Sequence, residues 1–154
     1  MSREQSELAD GLHLILKPRG FRKRKLVWRR PSGEDIVQVF GFDKSTFADQ
    51  LQLHYGLQLL RFSENPRLPL HELHVQWFVS EKLPKDRLAD LYRALNLEEP
   101  VPMPDRVAEL EDVLCRYVLP AFESCATLDR LREVLNDLKH PHSTLFCRFR
   151  RELL

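Results

Sequence analysis

Polar side chains that form hydrogen bonds recur at every second position in the middle of the sequence. The segment 51–59 alternates leucine or tyrosine with glutamine, histidine or glycine, which is the period of a β-strand with one buried face. A row of amide and imidazole groups on a sheet can bind a partner, because both groups donate and accept hydrogen bonds. We predict that one sheet face, opposite the leucines, carries Gln38, Gln52, His54, Gln58, His74 and Gln76. The alternative is a solvated face without a binding role, since antiparallel sheets commonly expose one side to water.

A cluster of positive charge precedes these strands. Residues 1–33 contain nine lysines and arginines against three acidic residues, whereas the rest of the chain has a surplus of five negative charges. The basic side chains between 19 and 30 are interleaved with Phe21 and Trp28, a pattern in which cations contact phosphates while aromatic rings stack on bases. The same segment could instead bind an acidic protein surface, or form a solvated strand edge with both aromatic residues in the core. The candidate basic contacts are Arg22, Arg24, Arg29 and Lys44.

No group of residues has the spacing of a familiar catalytic or metal site. The cysteines lack the CxxC spacing of a zinc site, and a restriction-type nuclease motif is incomplete. His71 and His74 would point to opposite faces of a strand, and His140 and His142 bracket a proline without a nearby ligand. Phosphate-binding loops, dinucleotide-binding glycine motifs and serine nucleophile motifs are all missing. We therefore expect no cofactor, no metal and no catalytic residues, and an unrecognised hydrolase is the enzymatic alternative.

Length and composition favour one folded domain over residues 1–154. The chain has 154 residues and a hydrophobic content of 43%, which is enough for one continuous core. Its N-terminus lacks the features of a signal peptide, and no apolar run approaches the length of a membrane span. Three cysteines without a paired spacing are typical of reduced thiols. These features predict a cytoplasmic monomer or homodimer without a membrane partner.

The hydrophobic periods place these residues on a helix, four strands and a further group of helices. An amphipathic helix over 4–17 is followed by strands near 25–30, 35–42, 51–59 and 72–79. Helices are predicted over 84–95, over 107–118 with an end near Pro120, and over 127–138. The segment 143–152 fits either a helix or a strand. Strands grouped before helices predict an α+β fold, in which three to four C-terminal helices pack on one face of an antiparallel meander.

Three stretches of this sequence resemble a known family. They are GFRKRKLVWRR at 20–30, IVQVFGFDKS at 36–45 and LQLHYGLQLL at 51–60, preceded by the amphipathic helix. Together they are similar to the uncharacterised bacterial domain of unknown function family forty-three-zero-four, over about residues 6–80. Asp43 stands where the family pattern has glutamine. The resemblance implies a small stand-alone bacterial α+β protein without established catalytic residues.

These observations favour a non-enzymatic protein-interaction protein. Small bacterial proteins of this kind often act as immunity proteins that neutralise a toxin, an association that makes a cognate toxin the expected partner. A nucleic-acid-binding module that uses the basic segment 19–30 is the alternative.

Overall fold

The computed structural model describes residues 1–137 and 145–154 and has an α+β fold. The first helix, α1, spans Arg3–Leu16 and begins at a capping box formed by Ser2 and Gln5. Five strands follow: β1 (Arg22–Arg24), β2 (Val27–Ser32), β3 (Ile36–Lys44), β4 (Leu51–Leu59) and β5 (Val75–Trp77). The next helices are α2 (Val79–Lys82), α3 (Lys85–Leu95), α4 (Met103–Val113), α5 (Leu119–Ser124) and α6 (Leu128–Asn136). The described chain ends with β6 (Leu145–Cys147) and α7 (Arg150–Leu153).

The strands form one antiparallel sheet in the order β1-β2-β3-β4-β5-β6. The predicted α+β class is therefore confirmed, but the predicted number of four strands is wrong. Five strands lie between α1 and α2, because the basic residues Arg22–Arg24 form an additional edge strand, and β6 joins the sheet after α6. The strand predicted over 72–79 is only three residues long. A 3-10 turn at Leu70–Glu72 and helix α2 flank it closely and limit its length.

The inner face of the sheet carries the main hydrophobic core. Trp28, Phe40 and Tyr55 are almost fully buried there, in one cluster with apolar residues of α1, α3, α4, α5 and α6. Phe122 of α5 contacts Tyr55 edge-on, with ring centroids 6.2 Å apart. Burial of a side chain of this size contributes about 1.5–3 kcal/mol. The inner face thus meets helices from both ends of the chain.

The outer face is covered by the segment 60–74, which we call the covering loop. Its residues Leu68, Leu70 and Leu73 pack against Val39 of β3 in a second, smaller cluster. The buried amide of Gln58 fastens the loop: its Nε2 donates to the carbonyl of Asn65 at 2.7 Å, and its Oε1 accepts from the N–H of Leu68 at 3.2 Å. The alternative of a solvated outer face is therefore wrong for the centre of the sheet, which the covering loop shields from water.

The helix predicted to end near Pro120 continues to Ser124. A π-helical turn at Leu114–Val118 joins α4 to α5, and Pro120 lies in the first turn of α5. Proline is tolerated at the start of a helical segment, where its missing N–H removes no regular hydrogen bond. The wider turn therefore lets the helical path continue past the proline.

The C-terminal segment 143–152, which fits either conformation in the sequence, contains both. Leu145–Cys147 is a strand paired with β5, and a helix begins at Arg150. Residues 143–144 and the predicted helix end at Leu138 lie outside the described residues.

Candidate partner-binding surfaces

Gln38 does not share the outer face with the other predicted polar residues. It pairs with Leu57 in the β3–β4 register, so both side chains point toward the helices. Its Oε1 accepts from Nε of Arg30 at 2.8 Å, and its side chain is 3% exposed. The predicted placement on the outer face is therefore wrong, because Gln38 lies on the inner face. It is not accessible to a partner there.

His74 directly precedes β5, and its imidazole hydrogen-bonds to the last residue of β4. Its Nδ1 accepts a hydrogen bond from the backbone N–H of Leu59 at 2.8 Å, and the residue is 4% exposed. Burial lowers the pKa of the imidazole, and the charge of Arg148 lowers it further. A neutral, buried histidine that already satisfies a backbone donor is poorly suited to bind a partner.

Four arginines lie together on the outer side of the sheet at β1 and β2, and we call this group the arginine surface. It consists of Arg22, Arg24, Arg29 and Arg67. Lys23, between the first two, forms an ion pair with Asp10 of α1 at 2.9 Å, so its neighbours on β1 point away from the helices. Arg22 is directly opposite Arg29 in the register, and Arg67 comes from the covering loop.

Arg29 is the partly buried centre of the arginine surface. Its Nη2 donates to the carbonyl of Leu68 at 2.9 Å, while its buried Nε has no partner among the described residues. Burial lowers the pKa of this guanidinium, and the nearby charges of Arg67 and Arg24 lower it further. No described carboxylate forms an ion pair with any of the four arginines. Their charges repel one another and would be stabilised by an anion.

The aromatic residues of the basic segment are not available for base stacking. Phe21 is 2% exposed and Trp28 is fully buried, both in the main core. The guanidinium carbon of Arg30 lies 4.4 Å from the ring centroid of Phe21 and completes its cover. The expected alternation of cations with stacking rings is therefore wrong, and the segment offers guanidinium groups alone.

The other predicted polar residues on the outer face meet at a cavity between β4, β5 and α3, which we call the edge cavity. Gln52, His54 and Gln76 line its outer side, and its volume is about 560 Å³. Nε2 of His54 lies 3.3 Å from a carboxylate oxygen of Asp43. Burial lowers the pKa of His54, and the charge of Asp43 opposes that shift.

Lys44 belongs to neither surface. It is exposed at the end of β3, where it pairs with Leu51 of β4. Arg29 is opposite Val39, which lies five residues before Lys44 on the same strand. That spacing corresponds to roughly 16 Å along a strand. Lys44 would have to contact a separate part of a large partner.

Buried Arg106 is explained by its structural contacts. Its Nη1 donates to the carbonyls of Ala94 at 2.7 Å and Asn96 at 2.8 Å, and its Nε donates to the carbonyl of Val101. It thereby satisfies carbonyls at the end of α3, which would otherwise lack donors. This guanidinium fastens α3 to α4 and is not a candidate binding group.

The structure gives no sign of a metal or thiol centre in the residues that it describes. No three ligating side chains come close enough to hold a metal ion in residues 1–137 and 145–154. The pKa of Cys147 is raised to about 11 by burial, so its thiol is a poor nucleophile at neutral pH. His140 and His142 lie outside the described residues.

Three residues that contribute to these surfaces could not be found from the sequence pattern. Arg67 lies in an irregular loop, so no period connects it with the arginines of β1 and β2. Tyr55 and Leu53 line the edge cavity but belong to the apolar side of a regular strand pattern. A sequence pattern shows which face of a strand a residue occupies. It does not show where the neighbouring strand ends and leaves a cavity beside that residue.

Comparisons of the chain with known protein families, curated proteins and solved structures found no match. The resemblance to the uncharacterised bacterial family therefore stays a prediction. Among the described residues, no helix is both long enough and apolar enough to cross a bilayer.

Proposed function

We propose that this chain is a non-enzymatic protein-interaction protein whose arginine surface binds an acidic segment of another protein. The observation that carries the proposal is the group of four neighbouring arginines without a carboxylate partner among the described residues. Guanidinium groups bind carboxylates in a bidentate geometry, and arginine is enriched in the energetically important parts of interfaces. An acidic partner would supply the charge that this surface lacks.

The partner is proposed to be a protein because the surface is small and lacks aromatic groups. Single-stranded nucleic acids are usually held by both cations and stacked rings, and here Phe21 and Trp28 are core residues. The net charge of +1 is also low for a nucleic-acid-binding domain. A bacterial toxin with an acidic surface, neutralised in the cytoplasm, is the specific form of the proposal that the family resemblance suggests.

The binding test uses fluorescence anisotropy with a labelled polyglutamate peptide as the probe. We expect saturable binding at low salt and weakening with added salt, because exposed charges are screened. The double variant Arg22→Glu/Arg24→Glu should reduce affinity at least about tenfold, which corresponds to the loss of two charge-assisted contacts. The matched control Lys85→Glu/Arg151→Glu changes the net charge equally on α3 and α7, at two exposed positions, and should bind like the native chain.

Labelled single-stranded DNA and RNA provide the second arm of the same experiment. The nucleic-acid alternative rests on the same arginines, which can contact phosphates without reading a sequence. Tighter binding of either oligonucleotide than of polyglutamate, lost in the Arg22→Glu/Arg24→Glu variant but not in the control, would replace the protein proposal with this alternative. Equal loss in both variants would show that net charge alone drives the binding.

The hydrolase alternative depends on the edge cavity. Two of its lining residues, His54 and Tyr55, have shifted pKa values, as functional groups often do. However, the only described side chain paired with the His54 imidazole is Asp43, and no hydroxyl or thiol donates to it. A His–Asp pair without a nucleophile does not complete the catalytic arrangement of acyl transfer. Hydrolysis of p-nitrophenyl acetate that disappears in His54→Gln would support the hydrolase.

A further inference from the structure

The edge cavity forms because β5 is much shorter than its neighbour. β4 runs through Leu51–Leu59, but β5 pairs only with residues 55–57 and then turns into α2. Beside the first half of β4, the place of a neighbouring strand is therefore open. Phe78 and Tyr92, which are 48% and 50% exposed, flank the opening. The gap is part of the fold and does not require a side chain to move.

The backbone of Leu53 faces this gap. Alternate residues of a strand direct their N–H and C=O groups to opposite neighbours. Leu59 donates to His74 on the β5 side, and the carbonyl of Asp49 accepts from Leu97 on the same side. Leu53 is separated from Asp49 and Leu59 by an even number of residues, so its N–H and C=O also point to the β5 side. They are directed away from β3 and into the cavity. The β4–β5 register does not reach Leu53, and no described turn or loop donates to or accepts from these two groups.

Both ends of the gap are closed by backbone pairing. At one end Tyr55 pairs with Trp77, and at the other Gln50 forms a bridge with Asn96. A strand added beside β4 would collide with the chain at either end. The gap therefore has room for only about one residue pair of such a strand. The space is suited to a compact molecule and not to a continuous β-strand.

Much of the cavity wall is apolar. Leu53, Phe78, Val79 and Tyr92 provide aliphatic and aromatic surface that is at least partly exposed, and no described lining side chain is an aspartate, glutamate, lysine or arginine. A volume of about 560 Å³ is typical of small-molecule sites.

We propose that the edge cavity binds a neutral small molecule with a flat apolar body and an amide edge. The N–H and C=O of such an edge pair with the C=O and N–H of Leu53, as the backbone of a β5 residue would. The flat body lies against Leu53, Phe78 and Tyr92, which line the cavity with partly or largely exposed side chains. This binding is independent of the arginine surface and requires no chemical reaction.

The test is an NMR titration of the ¹⁵N-labelled protein with 2-quinolinone, a neutral bicyclic lactam. We expect saturable shifts of the Leu53 amide and of the Trp77 indole. N-methyl-2-quinolinone lacks the donor and should bind about tenfold more weakly, because the Leu53 carbonyl then stays unpaired. Quinoline-2-carboxylate, which carries a charge, should not bind, since no described lysine or arginine lines the cavity to compensate a carboxylate.

One variant locates the site on the protein. Val79→Trp fills the cavity and should abolish the 2-quinolinone shifts. Tyr117→Phe, a partly buried tyrosine outside the cavity, and Arg24→Glu should both bind like the native chain. Binding that survives in a folded Val79→Trp protein would overturn the proposal.

A blocked dipeptide, acetyl-Val-Phe-N-methylamide, tests whether the cavity binds an extended peptide instead of a small molecule. It presents the same amide edge in an extended chain, and the closed ends of the cavity should exclude it. Shifts of Leu53 with the dipeptide but not with 2-quinolinone would make the cavity a peptide-docking site and refute the small-molecule proposal. The absence of shifts with both lactams up to their solubility limits would refute it as well.

Discussion

At the residue scale, the clearest consequence concerns the buried histidine His74. Burial lowers its folded-state pKa below the usual value of 6.5, so the unfolded chain binds a proton more readily than the folded one. Its contribution to stability is therefore fully present above the unfolded pKa and is lost as the pH falls through 6.5 toward the lower folded value. His54 has a pKa shift in the same direction and adds to this loss.

We predict that the native protein loses stability between neutral and mildly acidic pH, and that His74→Asn reduces this loss. The asparagine oxygen can still accept from the Leu59 N–H but does not titrate. His74→Leu also removes the titration but leaves that N–H unpaired, so it should cost about 1–3 kcal/mol at neutral pH. Urea unfolding at a series of pH values measures both effects. An unchanged pH slope in both variants would contradict the assignment.

At the element scale, the covering loop changes what the sheet presents to solvent. We predict that Gln58→Leu frees this loop, because it removes the hydrogen bonds to Asn65, Leu68 and Ser63 that hold it. Hydrogen exchange at residues 63–74 should accelerate at least about tenfold while the helices stay protected. Gln52→Leu is the control, since this exposed glutamine lies on the same strand and face. Equal acceleration in both variants would show that the loop is held by its leucines alone.

The sequence predicts where the strands lie better than it predicts the loop that covers them and the pairing of the last strand. The period of two locates β4 correctly, because one face of this strand meets the core and the other carries polar side chains. The same period fails around Gln38, because the segment Ile36-Val37-Gln38-Val39-Phe40 has apolar residues on both faces. The sequence therefore does not show which face Gln38 occupies. The covering loop has no period at all, and Leu68, Leu70 and Leu73 find their cluster only through the tertiary fold. β6 is three residues long and pairs with a strand about seventy residues earlier, which no local pattern indicates.

At the scale of the whole molecule, one core connects the two ends of the chain. Trp28 on β2 and Trp77 on β5 belong to the same buried cluster, which also includes Leu8 of α1 and Leu153 of α7. The carbonyl of Leu153 also accepts from Nε of Arg132 on α6, at 2.7 Å. A core shared in this way should unfold in a single transition, as expected for one domain of this size.

Two single-tryptophan variants, Trp28→Phe and Trp77→Phe, report on opposite parts of the sheet. We predict that fluorescence and circular dichroism give coincident urea curves within each variant. Adding Leu153→Ala should then lower the free energy of unfolding by about 2–5 kcal/mol in both, because it empties a buried leucine position of the shared core. Leu154→Ala, at the neighbouring position where the side chain is 54% exposed, should change it by less than about 0.5 kcal/mol. If Leu153→Ala shifted only the curve that Trp77 reports, the C-terminal segment and the first strands would be separate cooperative units, and the single-domain prediction would be wrong.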